Sequence, residues 1–288
     1  MTKQVLSAVP AKARLLLSIS FALAIGLALT GALDKHGEEY TSDTLKRSLA
    51  AFAIARGLNG VISVAQGTEL AVQPAGIGVN FAPGEILDPI NDLVERFSWV
   101  MLLSSTSLGL QQILLSISTW YLFTTVVIAV LIVGGISLWM RSGISAGTRR
   151  FILKLSLALM IFRFAVPFMA IANEWIYKEF LSDLYSESTA KLSETTDHIR
   201  ELNRDLDQTE PDVEDESLLG SVRQLVQSAA SSVDLDARLE QYKASASAAT
   251  LYAINLIVVF VFQTIILPLG FLFFIYLILK RLLSLNWS

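Results

Sequence analysis

The side chains able to do chemistry are few and far apart. His36 and His198 are the only histidines and there is no cysteine, so the sequence offers no thiolate nucleophile and no cluster of nitrogen and sulfur ligands for a transition metal. Serine is abundant, but a Ser/His pair would have to recruit a histidine from a polar stretch. No phosphate-cradling glycine loop, dinucleotide fingerprint or HExxH helix occurs. Glu210, Asp212, Glu214, Asp215 and Glu216 crowd one turn, yet they lack the spacing and the glycine of a calcium loop. They read as a solvated acidic turn. The expectation is a non-enzymatic protein with no cofactor and no metal.

One residue stands out by its surroundings. In "LALMIFRFAVPFMA", residues 157–170, Arg163 interrupts a run otherwise suited to lipid. A charge at the bilayer centre costs about 2.5 to 3.5 kcal/mol on insertion scales, so it is aimed at a partner or a cavity. Helical side chains lean toward the N-terminus, which points Arg163 toward the level of Gln263 and Thr264 in the last apolar stretch. Pro167, one turn on, has no N–H to give the carbonyl of residue 163. Arg163, Pro167, Gln263 and Thr264 are therefore expected to form an intramembrane polar site. Gln263 is the expected contact of the arginine, because no apolar stretch contains an Asp or Glu. Such a site serves as structural glue, as a hold on a lipid phosphate, or as part of a wet path.

The elements that position these residues follow from composition and charge. The chain is 53% hydrophobic with a mean hydropathy of +0.56, more apolar than a soluble domain of this size. A spanning helix needs about 20 apolar residues, and residues 15–33, 118–140, 155–172 and 251–279 meet that length. Trp120, Tyr121, Trp175, Tyr177 and Tyr252 mark one set of ends; Trp139, Tyr276 and Trp287 mark the other. Residues 1–14, 141–154 and 280–288 carry Lys3, Lys12, Arg14, Arg141, Arg149, Arg150, Lys154, Lys280 and Arg281 and no acid. All 26 acidic residues fall in residues 34–117 and 173–250. Because cytoplasmic loops collect Lys and Arg, the expectation is an all-α integral membrane protein of a bacterial inner membrane. It has four transmembrane helices, both termini in the cytoplasm and two acidic periplasmic regions. The first apolar run is about 19 residues, against 7 to 15 in a signal peptide, and reads as an uncleaved anchor. Absence of cysteine suits an oxidising exterior, and the excess of acid argues against a nucleic-acid partner.

The first outer region reads as a polar linker, "DKHGEEYTSD", then a helix from Thr44 to about Gln66. Leu45, Leu49 and Phe52 form its apolar stripe, with Ala53, Gly57 and Val61 a small-residue notch beside it. Alternating Leu70, Val72, Ile77, Val79 and Phe81 about Pro74-Ala75-Gly76 predict a small β-hairpin. Asp88 as N-cap and Pro89 at the first helical position start the next helix, whose apolar stripe is Ile90, Leu93, Val94, Phe97 and Met101. With neither charge nor proline from Phe97 to Met140, this helix is expected to run unbroken into the second span. Ser98, Ser105, Gly109, Gln112 and Ser116 give it a small and polar packing face. The second outer region is expected to be an antiparallel helical hairpin with a weak heptad. Its seam is Tyr185, Leu192, Ile199 and Leu206 with Leu181, Ser188, Thr195 and Leu202, and its turn lies at "DQTEPDVED".

Membrane lipid, further copies of the chain or an envelope protein are the expected partners. The function these features favour is assembly, in which the periplasmic helices mediate homo-oligomerisation or contact with an envelope partner. The alternative is a homo-oligomeric channel or transport component, with Arg163 or the small-polar face lining a pathway.

Overall fold

Long apolar runs free of proline and charge favour helix, and helix is what forms almost throughout. The computed structural model describes residues 11–67, 70–72, 79–81, 83–140, 143–207 and 218–284. Its helices are α1 (Ala11–Thr30), α2 (Ala32–Gly67), α3 (Pro83–Thr119), α4 (Tyr121–Trp139), α5 (Ala146–Ile176), α6 (Ser182–Asp207), α7 (Leu218–Val261) and α8 (Leu267–Ser284). π-helical turns at Tyr177–Leu181 and Phe262–Ile266 join α5 to α6 and α7 to α8. Strands β1 (Leu70–Val72) and β2 (Val79–Phe81) pair antiparallel, with Leu70 opposite Phe81. The turn expected about Pro74-Ala75-Gly76 and the acidic turn of residues 208–217 lie outside the described residues. Among the described residues, six helical stretches are long and apolar enough to cross a membrane. That is the architecture of a multi-pass membrane protein.

Two single-residue breaks depart from the pattern expected of the sequence. Gly31 takes a φ of 61°, a left-handed conformation that glycine adopts without steric cost; its N–H closes α1 on the Leu27 carbonyl and its own carbonyl accepts from the Lys35 N–H. The expected polar linker of residues 34–43 is therefore the first part of α2. Its threonines bond back along the helix, Thr41 to the Gly37 carbonyl and Thr44 to the Tyr40 carbonyl. Trp120 makes the second break, with φ −56° and ψ 133°, so no continuous helix runs from Phe97 to Met140. The physical cause lies in the residues just before it. The Ser118 and Thr119 hydroxyls bond the Leu115 and Ser116 carbonyls and so compete for the acceptors that another turn would use.

The start of α3 is also earlier than expected. The helix begins at Pro83 and holds Pro89 within it, and Asp88 accepts a hydrogen bond from Gln66 Nε2 at 2.7 Å rather than capping the helix.

The chain divides into two compact units, one built from residues up to Lys46, Thr106–Glu179 and Phe262 onward, the other from Arg47–Ser105 and Phe180–Val261. In the second unit, α2, α3, α6 and α7 share one core that includes Ala51, Leu58, Phe97, Met101, Leu192, Ile199, Tyr242 and Leu256. The buried face of α2 there is Ser48, Ala51, Ala55, Leu58, Ile62 and Ala65, while Leu49 is 49% exposed. Small residues dominate that face because they let neighbouring backbones approach; of the expected Leu45, Leu49 and Phe52 stripe, Leu49 turns outward while Phe52 packs partly buried against the core. Ser188, Leu192, Thr195, Ile199 and Leu202 of the hairpin seam are buried as spaced. One polar group in this core is satisfied at both ends: Asn203 Nδ2 donates to the Val61 carbonyl at 2.9 Å and its Oδ1 accepts from Tyr242 at 2.7 Å.

In the first unit, Phe21, Ala24 and Ala28 of α1 pack with Val127 and Leu131 of α4 and Leu153, Leu157 and Phe164 of α5. Outward faces of these helices are apolar as well, with Leu15, Leu23, Val126, Val133 and Ile136 exposed, the pattern of helices solvated by lipid.

Gly134 sets how closely α4 meets α5. A Cβ there would collide with Ser156 Oγ and lie 3.1 Å from Ser156 Cβ and 3.2 Å from Phe21, while the Ser156 hydroxyl already donates to the Val130 carbonyl. Gly134→Ala is expected to cost about 1–3 kcal/mol through overpacking. The Gly134→Ala/Ser156→Ala pair should cost less than the sum of its singles in thermal unfolding in detergent; strict additivity would refute the contact. In the second unit, burial pushes the Tyr185 phenol above its usual 10.0. Native protein thus holds this proton at a pH where the unfolded chain has lost it. The stabilisation is complete below pH 10.0 and disappears as pH rises through the raised value, so Tyr185→Phe should flatten the alkaline fall in unfolding midpoint.

Candidate functional site

Arg163 occupies the middle of α5 and is 1% exposed. An ion this deep is tolerated only if a counter-charge and hydrogen-bond acceptors accompany it. They come from the two helices that restart at the breaks. Asp34, in the first turn of α2, takes the guanidinium in a fork: Nη1 to Oδ1 at 2.9 Å and Nη2 to Oδ2 at 2.5 Å. Thr124, one turn after Trp120, accepts from Nε at 3.2 Å. The cation also lies 5.3 Å from the centre of the Phe164 ring, within the range of a cation–π contact. Asp34 gains further from its place, since a carboxylate at a helix N-terminus meets the positive end of the helix dipole.

This arrangement overturns two expectations. Arg163 has a counter-ion within its own chain, and it makes none of its hydrogen bonds to Gln263. Residue 34 is not the start of an exposed linker. The helix α1 stops at Thr30, three residues short of the expected end of the span, and Asp34 re-enters on a new helix. One sequence signal points to it: Asp34 is the carboxylate that directly follows the first apolar run.

Pro167 belongs to the same neighbourhood through its packing. A Cβ on Gly37 would lie 3.6 Å from Pro167 Cα and 3.5 Å from Ala170 Cβ, so Gly37, one turn after Asp34, is where α2 rests on α5.

Gln263 and Thr264 form a separate polar cluster in the same unit. Both are buried and sit in the π-helical turn of residues 262–266. Pro268 lacks the N–H that would bond the carbonyl four residues earlier; the Thr264 carbonyl is taken instead by the Ser107 hydroxyl at 2.9 Å. The Gln263 carbonyl accepts from Asn173 Nδ2 at 3.0 Å, and Gln263 Nε2 donates to Tyr40 at 3.1 Å. Beside Asn173, Glu174 contacts His36 at 3.3 Å and Lys178 at 2.5 Å. Tyr40 and Asn173 escape sequence reasoning, because nothing in their local sequence marks them.

The expected packing face of α3 is covered along part of its length. Ser98 and Ser105 are buried, and Ser105 shares a hydrogen bond of 2.7 Å with Ser48. Gly109, Gln112 and Ser116 lie instead along an open groove with Ile113, Ile117 and Trp120. The stripe keeps the seven-residue spacing of the buried positions Leu87, Val94, Met101, Leu108 and Leu115, so the face is continuous along α3 and what changes along it is the cover.

No protein-family model, curated protein or solved structure matches this chain. Its chemistry must therefore be read from its own residues. Among the described residues no three His, Asp or Glu side chains gather to hold a metal, and the buried cation of α5 gives three of its five N–H donors to Asp34 and Thr124.

If the fork carries stability, Asp34→Asn should destabilise the protein by about 3–5 kcal/mol, because it strands a buried guanidinium. Asp34→Asn/Arg163→Gln, which removes both charges, should recover much of that loss in thermal unfolding. An unchanged midpoint for Asp34→Asn alone would remove the ion pair as the organising contact.

Proposed function

We propose that this protein is a non-enzymatic assembly component of a bacterial inner membrane, joining to further copies of itself through the outward face of α3. Four transmembrane spans, cytoplasmic termini and periplasmic placement of residues 34–117 and 173–250 belong to the same proposal, on the strength of the partition of Lys and Arg from Asp and Glu along the chain. The observation that carries the assembly reading is the exposed side of α3. Leu110, Ile113, Leu114 and Ile117 are 45–58% exposed and flank the groove at Gly109, Gln112 and Ser116. Small residues permit a second helix to approach closely, and Gln112 offers both a donor and an acceptor to an identical face related by a two-fold axis. An apolar surface of this kind also needs covering wherever lipid does not reach it.

The channel reading draws less support. Its distinctive residue, Arg163, is occupied by Asp34 and Thr124, which favours its service as structural glue.

The absence of cysteine makes the test clean. Gly109→Cys and Gln112→Cys should each form disulfide-linked dimers in native membranes, whereas Leu153→Cys, buried at 1% exposure, should not. Monomer at every position, together with a monomer in mild detergent, would defeat the proposal.

A further inference from the structure

Between α1 and α4 of the first unit runs an open groove of about 530 Å³, walled by Phe21, Ala22 and Ile25 on one side and Ile132, Ile136 and Trp139 on the other. Trp139 Nε1 donates to Ser18 Oγ at 3.1 Å and ties the two walls at one end. Two arginines stand at that end. Arg14 precedes Ser18 by one turn on the same face of α1. Arg149 is fixed there by its bond from Nη2 to the Met140 carbonyl at 2.6 Å, and Met140 lines the groove. The Nε–H of each arginine is buried and has no acceptor in the structure. Residues 1–33 and 118–172 contain no Asp or Glu that could supply one.

An apolar trough that ends at two guanidiniums, without a carboxylate in residues 1–33 or 118–172, is complementary to an amphiphile with an anionic head. We infer that this groove is a binding site for an anionic phospholipid, with an acyl chain between α1 and α4 and the phosphate accepting from Arg14 and Arg149. The planar guanidinium matches a phosphate better than an ammonium would, and basic pockets between transmembrane helices on the cytoplasmic side are suited to acidic headgroups. Free phosphate would satisfy the arginines but leave the trough empty; a zwitterionic lipid would fill the trough but bring its own cation to the arginines. Only the anionic lipid answers both halves of the site. The inference is independent of whether copies assemble through α3.

The test uses the full chain in mild detergent. Thermal unfolding and native mass spectrometry are followed with dioleoylphosphatidylglycerol, dioleoylphosphatidylcholine or inorganic phosphate added. The wild type should retain phosphatidylglycerol about tenfold or more over phosphatidylcholine, the order expected for two arginines, and phosphate alone should not raise the unfolding midpoint. Arg14→Gln should reduce the preference several-fold. It is the deciding charge variant because Arg149 also holds the Met140 carbonyl. Ala22→Trp, which fills the trough and keeps both arginines, should abolish retention of phosphatidylglycerol. Equal retention of the two lipids by the wild type would overturn the assignment, as would a preference that survives both Arg14→Gln and Ala22→Trp. Stabilisation by phosphate equal to that by phosphatidylglycerol would overturn the lipid as occupant.

Discussion

A guanidinium in an apolar helix has to be neutralised where it lies, since its helix has no freedom to carry it to water. In this protein that requirement falls on Asp34 and Thr124, and meeting it constrains three helices at once. Asp34 belongs to the first turn of α2, Thr124 to the first turns of α4, and Arg163 to the middle of α5. The two acceptors are in reach because α1 stops at Gly31 and α3 at Trp120. A straight continuation through either point would rotate and translate the acceptor away from the fork. The breaks and the ion pair are thus one device: irregular backbone where the chain could have stayed helical, offset by the neutralisation of a charge that would otherwise remain stranded.

A similar logic governs the polar groups around α8. Proline removes a donor from the helical ladder, and a carbonyl left in an apolar setting needs another partner. The Thr264 carbonyl finds Ser107, and the Gln263 carbonyl in the same π-helical turn finds Asn173. Side chains from two other helices are thereby recruited to mend one irregular segment. Such repairs explain how polar residues come to lie deep in an apolar helical bundle.

The two units bury their helices by different means. In the core that holds Ala51, Leu58, Phe97 and Leu192, Ser48, Ala51, Ala55 and Ala65 of α2 give close approach while Leu58 and Ile62 of the same helix pack with larger side chains of its neighbours. Around Phe21, Leu131 and Leu157, apolar side chains point both inward and outward, so the helices are distinguished by what solvates them more than by which face is apolar. On α3 the small-polar stripe is buried at Ser98 and Ser105 and open at Gly109, Gln112 and Ser116.

Helical content, membrane character and the partition of charge are legible in the amino-acid sequence because they are properties of consecutive residues, set by hydropathy and by where Lys, Arg, Asp and Glu fall along the chain. Arg163, Pro167, Gln263 and Thr264 are recognisable as anomalies for the same reason, and all four are buried. Their partners are not legible in this way. Which carboxylate meets Arg163 depends on a one-residue turn at Gly31 and another at Trp120, each too brief to alter the local pattern of apolar residues. The face that α2 buries departs from its hydrophobic stripe for a related reason: side-chain size, not hydrophobicity alone, decides which side of a helix lies closest to its neighbours. A helical, apolar chain with its charges sorted by region is thus written in the order of its residues. That Arg163 is sealed by Asp34 is settled only in three dimensions, because a salt bridge between residues 129 positions apart depends on where helices stop, and packing sets those stopping points.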